Sequence, residues 1–297
     1  MANKGVRLDF IAMERSLRAT GCDVPIKIIP FDNSRFELPA NSTWIEDDDA
    51  AFNAVKNSEA VAHCRKFAAL TKKNAAFFDT DIIHLQNPEK WLQPYSPEWF
   101  VVADTEWNKA RWTFTSETKS VYEQQSTLWL LDQFNSGFFA FGNAVVTAEE
   151  IAAFLSPASF RKLWSGGGPT PGEQSAINWL VNQSQRTVTN LCLPPYRIES
   201  TMALDYPQDY RSVLTKANTA PFIHYAGAGR NLDAPISELI FQHLNAEEAE
   251  EWKAEYWRKK NEKARRHHWP LWVRVLKKMV PALNPHFNIQ WVSKQPD

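Results

Sequence analysis

Three shortages frame this 297-residue sequence: net charge, cysteine and long apolar runs. Its 33 basic and 34 acidic side chains leave a formal charge of -1. No global basic field therefore argues for a nucleic-acid partner. The cysteines, Cys22, Cys64 and Cys192, are odd in number and far apart, which suits reduced thiols in a cytosolic protein better than a disulfide framework. No apolar run approaches the ~20 residues that span a bilayer, and the opening MANKGVRLDF carries no signal-peptide pattern. These features predict a soluble, cytoplasmic chain. What the sequence has in quantity is aromatic: 13 Trp and 18 Phe, expected mainly in a core.

The chain reads as alternating helices and strands. Leu8, Ile11 and Leu17 fall near helical spacing over residues 6 to 20, and Gly21 closes that helix. A short β-rich run follows at residues 26 to 29, between Pro25 and Pro30. A second helical zone covers residues 48 to 71, and apolar strands are expected at residues 75 to 78, 99 to 103 and 138 to 141. Residues 165 to 172 (SGGGPTPG) read as a flexible loop entering a helix over 173 to 182. This order favours an α/β fold with a parallel sheet. No internal repeat is present. From residue 246 acids precede bases along one helical stretch, matching a helix dipole. Either its tryptophans pack on the domain, or Trp252, Trp257, Trp269 and Trp272 meet a membrane surface beside the basic residues.

The most informative stretch is Phe77-Phe78-Asp79-Thr80-Asp81. Residues two apart on a strand share a face, so Asp79 and Asp81 can converge on one cation at the end of the apolar strand. In an open α/β sheet that end faces the ligand crevice. Asp47 and Asp49 repeat the spacing, but Glu46-Asp47-Asp48-Asp49 has no strand before it and reads as a solvated turn or helix start. Three further segments suit a bound diphosphate: Asn135-Ser136-Gly137 before an apolar strand, Glu173 and Gln174 at a helix start, and His224 followed by Gly227, Gly229 and Arg230.

Over residues 6 to 231 the chain resembles the GT-A glycosyltransferases that use nucleotide sugars, especially glycogenin and the bacterial lipopolysaccharide hexosyltransferases. The resemblance is carried by RKFAAL (residues 65 to 70), FFDTD, NSGFF, GEQSAINWL and HYAGAGR, in that order. It implies a GT-A (Rossmann-like) mixed, mostly parallel sheet flanked by helices over residues 1 to 240, with a basic and aromatic helical extension over 241 to 297. The implied cofactor is Mn²⁺ or Mg²⁺ bound by Asp79, Asp81 and His224. The implied donor is a nucleotide diphosphate sugar, a UDP-sugar above all, and the acceptor a glycan, lipid or protein. By the same resemblance Arg65 or Lys66 and Thr80 serve the nucleotide, Asn135, Ser136 and Gly137 line the sugar pocket, Gly227, Gly229 and Arg230 contact the diphosphate, and Glu173 and Gln174 are the catalytic pair. A base at Glu173 or Asp104 would give inversion; the nearest resemblances imply retention. GT-A domains of this type open with a strand that contacts the nucleotide base. Here only Met1 to Gly5 precede the first helix, so a sheet edge is expected to lack its partner.

Two other readings stay open from sequence. In a haloacid dehalogenase-type phosphatase, Asp79 would be nucleophile and Asp81 general acid. A degenerate sugar-binding protein would keep the fold without catalysis.

Overall fold

The computed structural model describes residues 1–46, 48–58, 62–104, 133–156, 173–206, 220–226 and 232–267, with the short pieces 119–120, 123–124 and 211. The chain divides into two compact units, Met1–Asn245 and Ala246–Asp297.

The first unit opens with a 3-10 turn, Lys4–Val6, closed by the Asn3 side chain accepting the Gly5 N–H at 3.0 Å. Helix α1 (Arg7–Ala19) follows. It stops because Gly21 adopts φ 77°, a left-handed conformation that costs glycine little. Arg18 then fastens the helix end to the next segment, pairing with Glu14 at 2.9 Å and donating to the Cys22 and Val24 carbonyls at 2.9 and 2.8 Å. Strands β1 (Ile26–Ile28) and β2 (Ser42–Trp44) form a parallel pair. Helix α2 (Ala50–Lys56) begins where Asp49 accepts the Phe52 N–H at 3.0 Å. Asp49 also pairs with Lys72. The acidic run at 46 to 49 is thus structural at Asp49, while Asp47 lies outside the described residues.

The expected helix at RKFAAL is a 3-10 helix, Ala62–Thr71. A 3-10 helix brings every third residue to one face, and Cys64, Phe67 and Leu70 are buried at that spacing. Lys66 and Ala68 are buried on it as well.

A four-stranded sheet carries the core, in the order β3 (Ala75–Phe78), β6 (Phe138–Phe141), β5 (Phe100–Val102), β7 (Val188–Asn190). Strand β6 is antiparallel to both neighbours, and β5 and β7 are parallel. The sheet is therefore mixed, with one reversed strand among three that share a direction. Both faces are covered, which explains the aromatic wealth. Alternation along Phe138-Phe139-Ala140-Phe141 sends Phe139 and Phe141 to one face and Phe138 and Ala140 to the other. On the first, Phe77, Phe139, Phe100 and Phe141 stack in sequence, with centroids 4.9, 5.5 and 5.8 Å apart. On the second, Phe138 packs with Phe78, Trp91 and Phe222. Helices α3 (Pro88–Leu92), α4 (Ala148–Phe154) and α5 (Glu173–Gln183) complete the layers. Helix α4 starts on a capping box of Thr147 and Glu150. Strands β4 (Ile82–His84) and β8 (Phe222–His224) form a separate antiparallel pair, followed by α6 (Glu238–Phe241).

His84 is 3 % exposed, and neither ring nitrogen has a hydrogen-bond partner. Burial, with a smaller contribution from His243, lowers its pKa to about 3. The folded value lies below the unfolded one, so the neutral ring's contribution is fully present above pH 6.5 and is lost as pH falls toward 3. Within that window each pH unit costs about 1.4 kcal/mol. His84→Leu is expected to flatten the acid side of a stability–pH profile by one proton, measured by urea denaturation between pH 7 and 5. An unchanged slope would show that the ring is hydrated or paired in solution.

The second unit contains helix α7 (Ala246–His267), with Glu247 and Glu248 in its first turn. Trp252 stacks on Tyr256 at 5.8 Å, and Lys260 lies over the exposed Trp257 ring at 4.6 Å. Trp269 and Trp272 lie outside the described residues. Among the described residues no helix is long and apolar enough to cross a membrane. The membrane-surface expectation finds no support in α7. The three cysteines are free thiols.

Candidate functional site

The carboxyl end of β3 delivers Asp79, and the tight turn at Thr80 and Asp81 leads directly into β4. Strand β8 brings His224 opposite Ile82. The Tyr225 N–H donates to the Asp81 carbonyl at 2.9 Å, locking this junction. As a result, His224 Nε2 lies 3.4 Å from an Asp81 carboxylate oxygen and 4.0 Å from one of Asp79. One potential ligand atom from each of the three lies within 4.8 Å of the others.

The imidazole is buried. Burial by itself would lower its pKa, but the hydrogen bond to Asp81 and the charges of Asp81 and Asp79 outweigh that, and the pKa is raised. Positive charge is thus favoured at this point. Two carboxylate oxygens and an imidazole nitrogen make a donor set suited to Mn²⁺, with Mg²⁺ also served by the carboxylates. The residues present fit such an ion.

Lys66 forms the floor. Its side chain is 2 % exposed, and its ammonium lies 3.3 Å from Asp79 and 3.1 Å from Glu173. Burial opposes its charge, yet the two carboxylates hold the pKa above the usual lysine value. For Glu173, burial would raise the pKa and the Lys66 charge with its hydrogen bond lowers it, leaving a net decrease. Asp79, Asp81 and Glu173 against one ammonium leave the cluster two charges negative while His224 is neutral. That imbalance is the electrostatic reason for a cation here.

The wall is the loop before β6. Ser136 Oγ donates to Glu173 at 3.3 Å and its N–H to Gln174 Oε1 at 3.4 Å. The Gly137 N–H donates to Asn135 Oδ1 at 2.8 Å, and the Gly137 carbonyl accepts the Asp79 N–H at 2.8 Å. Glycine is required for space: a Cβ would stand 2.1 Å from the His224 ring. Asp104 holds the Asn135 N–H at 2.7 Å and is itself buried.

The structure therefore gathers Lys66, Asp79, Thr80, Asp81, Asn135, Ser136, Gly137, Glu173, Gln174 and His224 into one connected region. Arg65 is directed elsewhere, donating to the Pro30 and Phe31 carbonyls at 3.1 and 2.8 Å. Gly227, Gly229 and Arg230 lie outside the described residues, as does the loop at 165 to 172. Sequence reading missed Asn178. It is buried on α5, accepts the Phe134 N–H at 2.9 Å and donates to the Phe134 and Gln174 carbonyls at 2.9 and 2.8 Å. Its signal was an amide on the apolar face of GEQSAINWL.

No known family profile matches the chain, and no curated protein does. Solved structures do. The apo structure of the bifunctional glycosyltransferase WbbM superposes with a TM-score of 0.55 at 13 % identity, over 85 % of this chain and 50 % of that one. The fold is GT-A-like. This chain thus spans half the length of WbbM. Other matches are an active-site mutant of LgtC (TM-score 0.47, 12 % identity, 86 % of this chain and 98 % of that chain) and mouse xyloside xylosyltransferase 1 in apo form (0.39, 12 %, 78 % and 94 %).

Proposed function

We propose that this protein is a metal-dependent glycosyltransferase that moves a hexose from a nucleotide diphosphate sugar, a UDP-sugar by preference, to a glycan, lipid or protein hydroxyl. The observation that carries the reading is the convergence of Asp79, Asp81 and His224 at the carboxyl end of β3 in a GT-A-like fold. Departure of a nucleoside diphosphate develops charge that needs stabilisation in the transition state. A Mn²⁺ or Mg²⁺ held by the three side chains supplies a Lewis acid for that charge.

The chain's own groups set the geometry around it. Lys66 holds Asp79 and Glu173 apart and fixed, so the carboxylates keep their positions as charge redistributes. Asn135, Ser136 and Gly137 line the sugar side, with Ser136 tied to Glu173. Gln174 remains beside them as a polar contact for the sugar, and Thr80 lies between the two aspartates. Gly227, Gly229 and Arg230 belong to the same reading as diphosphate contacts. Glu173 is a poor general base: its pKa is lowered, whereas efficient base catalysis asks for a value near the working pH. Buried Asp104 is committed to the backbone of the sugar loop. Both points support retention of configuration. A cytoplasmic location belongs to the same proposal, resting on the three free thiols.

Calorimetric titration with UDP and GDP, with and without Mn²⁺, tests the reading. The wild type is expected to bind one diphosphate in a metal-dependent way. Asp81→Asn should weaken that binding beyond the about 10–100-fold that loss of a merely supporting group costs. Binding that ignores metal, or ignores the substitution, would overturn the assignment.

A further inference from the structure

The groups around His224 form a closed circuit of short contacts. The His224 N–H donates to the Thr201 carbonyl at 2.7 Å, and the neighbouring Met202 bridges the same histidine in the parallel sense. The Thr201 hydroxyl in turn donates to the Ala103 carbonyl, just past the end of β5, at 2.9 Å. The next residue, Asp104, accepts the Asn135 N–H at 2.7 Å, and Asn135 accepts the Gly137 N–H at 2.8 Å. Gly137 completes the circuit, because it lies so near the His224 ring that a Cβ would stand 2.1 Å from it.

Both anchors of this circuit are braced from outside. At the end of β7, Asn190 accepts the Asp104 N–H at 3.2 Å and donates to the Asp104 carbonyl at 2.8 Å, which fixes the end of β5. Behind Thr201, the Ser200 hydroxyl is bonded to Asp205 and accepts the Met202 N–H at 3.1 Å, while the Ser200 carbonyl accepts the Tyr206 hydroxyl at 2.7 Å. Residues 200 to 206, with the 3-10 turn Ala203–Asp205, are thus a strap tied to itself and laid across β8 and β5. Thr201 is its contact with both. It is 1 % exposed and bonded through its hydroxyl to backbone, so it faces no ligand.

We propose that Thr201 is a positioning residue for the metal site: its hydroxyl fixes the distance from β8 to the end of β5 and so holds the His224 imidazole against Gly137, where Nε2 meets Asp81 at 3.4 Å. A ring restrained on one flank can retreat from a cation. Restrained on both, it moves only if a link of the circuit breaks. Metal-ligating histidines are commonly oriented through the ring nitrogen that does not face the metal; here the restraint acts through the backbone on one side and through a glycine on the other. The role is tied to the proposed function through the ion that Asp79, Asp81 and His224 would hold.

Thr201→Val keeps the branched shape and the backbone carbonyl but takes the hydroxyl donor from the Ala103 carbonyl; Thr201→Ser keeps the hydroxyl. Titration with Mn²⁺ alone is expected to show Thr201→Val binding about 10–100-fold more weakly than wild type, the loss that follows removal of a group orienting a metal ligand. Thr201→Ser should bind as wild type does. Gly142→Ala is the control for lost stability: at the opposite end of β6 its Cβ would stand 2.4 Å from Pro97, so it should lower the thermal midpoint and leave Mn²⁺ affinity unchanged. Equal affinity in wild type and Thr201→Val, or an equal loss in Gly142→Ala, overturns the proposal. The ring itself is followed without metal, by the rate at which diethyl pyrocarbonate modifies His224. That rate should rise in Thr201→Val by a factor comparable to the loss of affinity, since both report how often the ring leaves its place, and stay low in Thr201→Ser. A wild type that binds no Mn²⁺ would overturn the proposed metal site, and the modification rates would still decide the positioning role: equal rates in wild type and Thr201→Val would overturn it.

Discussion

Gly137→Ala is expected to destroy metal-dependent nucleotide binding while leaving most of the fold in place. The added methyl would lie 2.1 Å from His224 Cε1 and 2.8 Å from each ring nitrogen, inside any tolerable contact. Neither side can give way cheaply. The Gly137 carbonyl is bonded to the Asp79 N–H, and the His224 N–H to the Thr201 carbonyl at 2.7 Å. The ring must leave its place beside Asp81, which would take the imidazole out of the proposed metal site. Overpacking of this kind costs about 1–3 kcal/mol. Calorimetry with UDP and Mn²⁺ should show no saturable binding, with a lowered thermal midpoint. The double variant Gly137→Ala/His224→Ala separates the two effects: it should recover stability, because the ring has been removed, without recovering binding. Gly137→Ala with normal binding would mean that the imidazole is not a ligand.

The second large effect concerns Lys66. Lys66→Met keeps the volume of the stem but leaves Asp79 and Glu173 sharing a buried neighbourhood without their cation. Breaking a buried ionic cluster by removing one member costs about 3–5 kcal/mol; the partial exposure of Asp79, 28 %, and Glu173, 19 %, places this case toward the lower end. Urea denaturation at pH 7 should show the loss as a lower midpoint with an unchanged slope. Lys66→Met/Glu173→Gln should recover part of it, because one of the two uncompensated charges is gone. A neutral Lys66→Met would show that water already screens the pair. Arginine is a poor replacement, since its planar fork is larger and needs more partners than this enclosed space provides.

Much of the candidate site was legible because its chemistry is local. Asp79, Thr80 and Asp81 share one strand end, and a period of two suffices to put both carboxylates on one point. His224 could be grouped with the two aspartates only through the company of the FFDTD motif, since the antiparallel register of β4 and β8 that joins them is set by folding over a long sequence separation. Adjacent residues proved harder to tell apart. Arg65 and Lys66 look equivalent in sequence, but the 3-10 winding sends Lys66 inward to the carboxylates and Arg65 outward to the backbone of Pro30 and Phe31. An amphipathic pattern could not separate a 3-10 from an α-helix, because Cys64, Phe67 and Leu70 satisfy either face. Strand positions were accurate where the apolar runs were short and bounded, as at Phe138–Phe141. Their mutual direction was not legible: that β6 runs against its neighbours is a property of chain connections and not of composition.

Asn178 carries a mechanical consequence. Its single amide grips the Phe134 backbone from both sides and the first turn of α5 at the same time. The loop that carries Asn135, Ser136 and Gly137 and the helix that presents Glu173 and Gln174 are therefore tied together at their base, so that one buried amide sets the spacing between two walls of the candidate site.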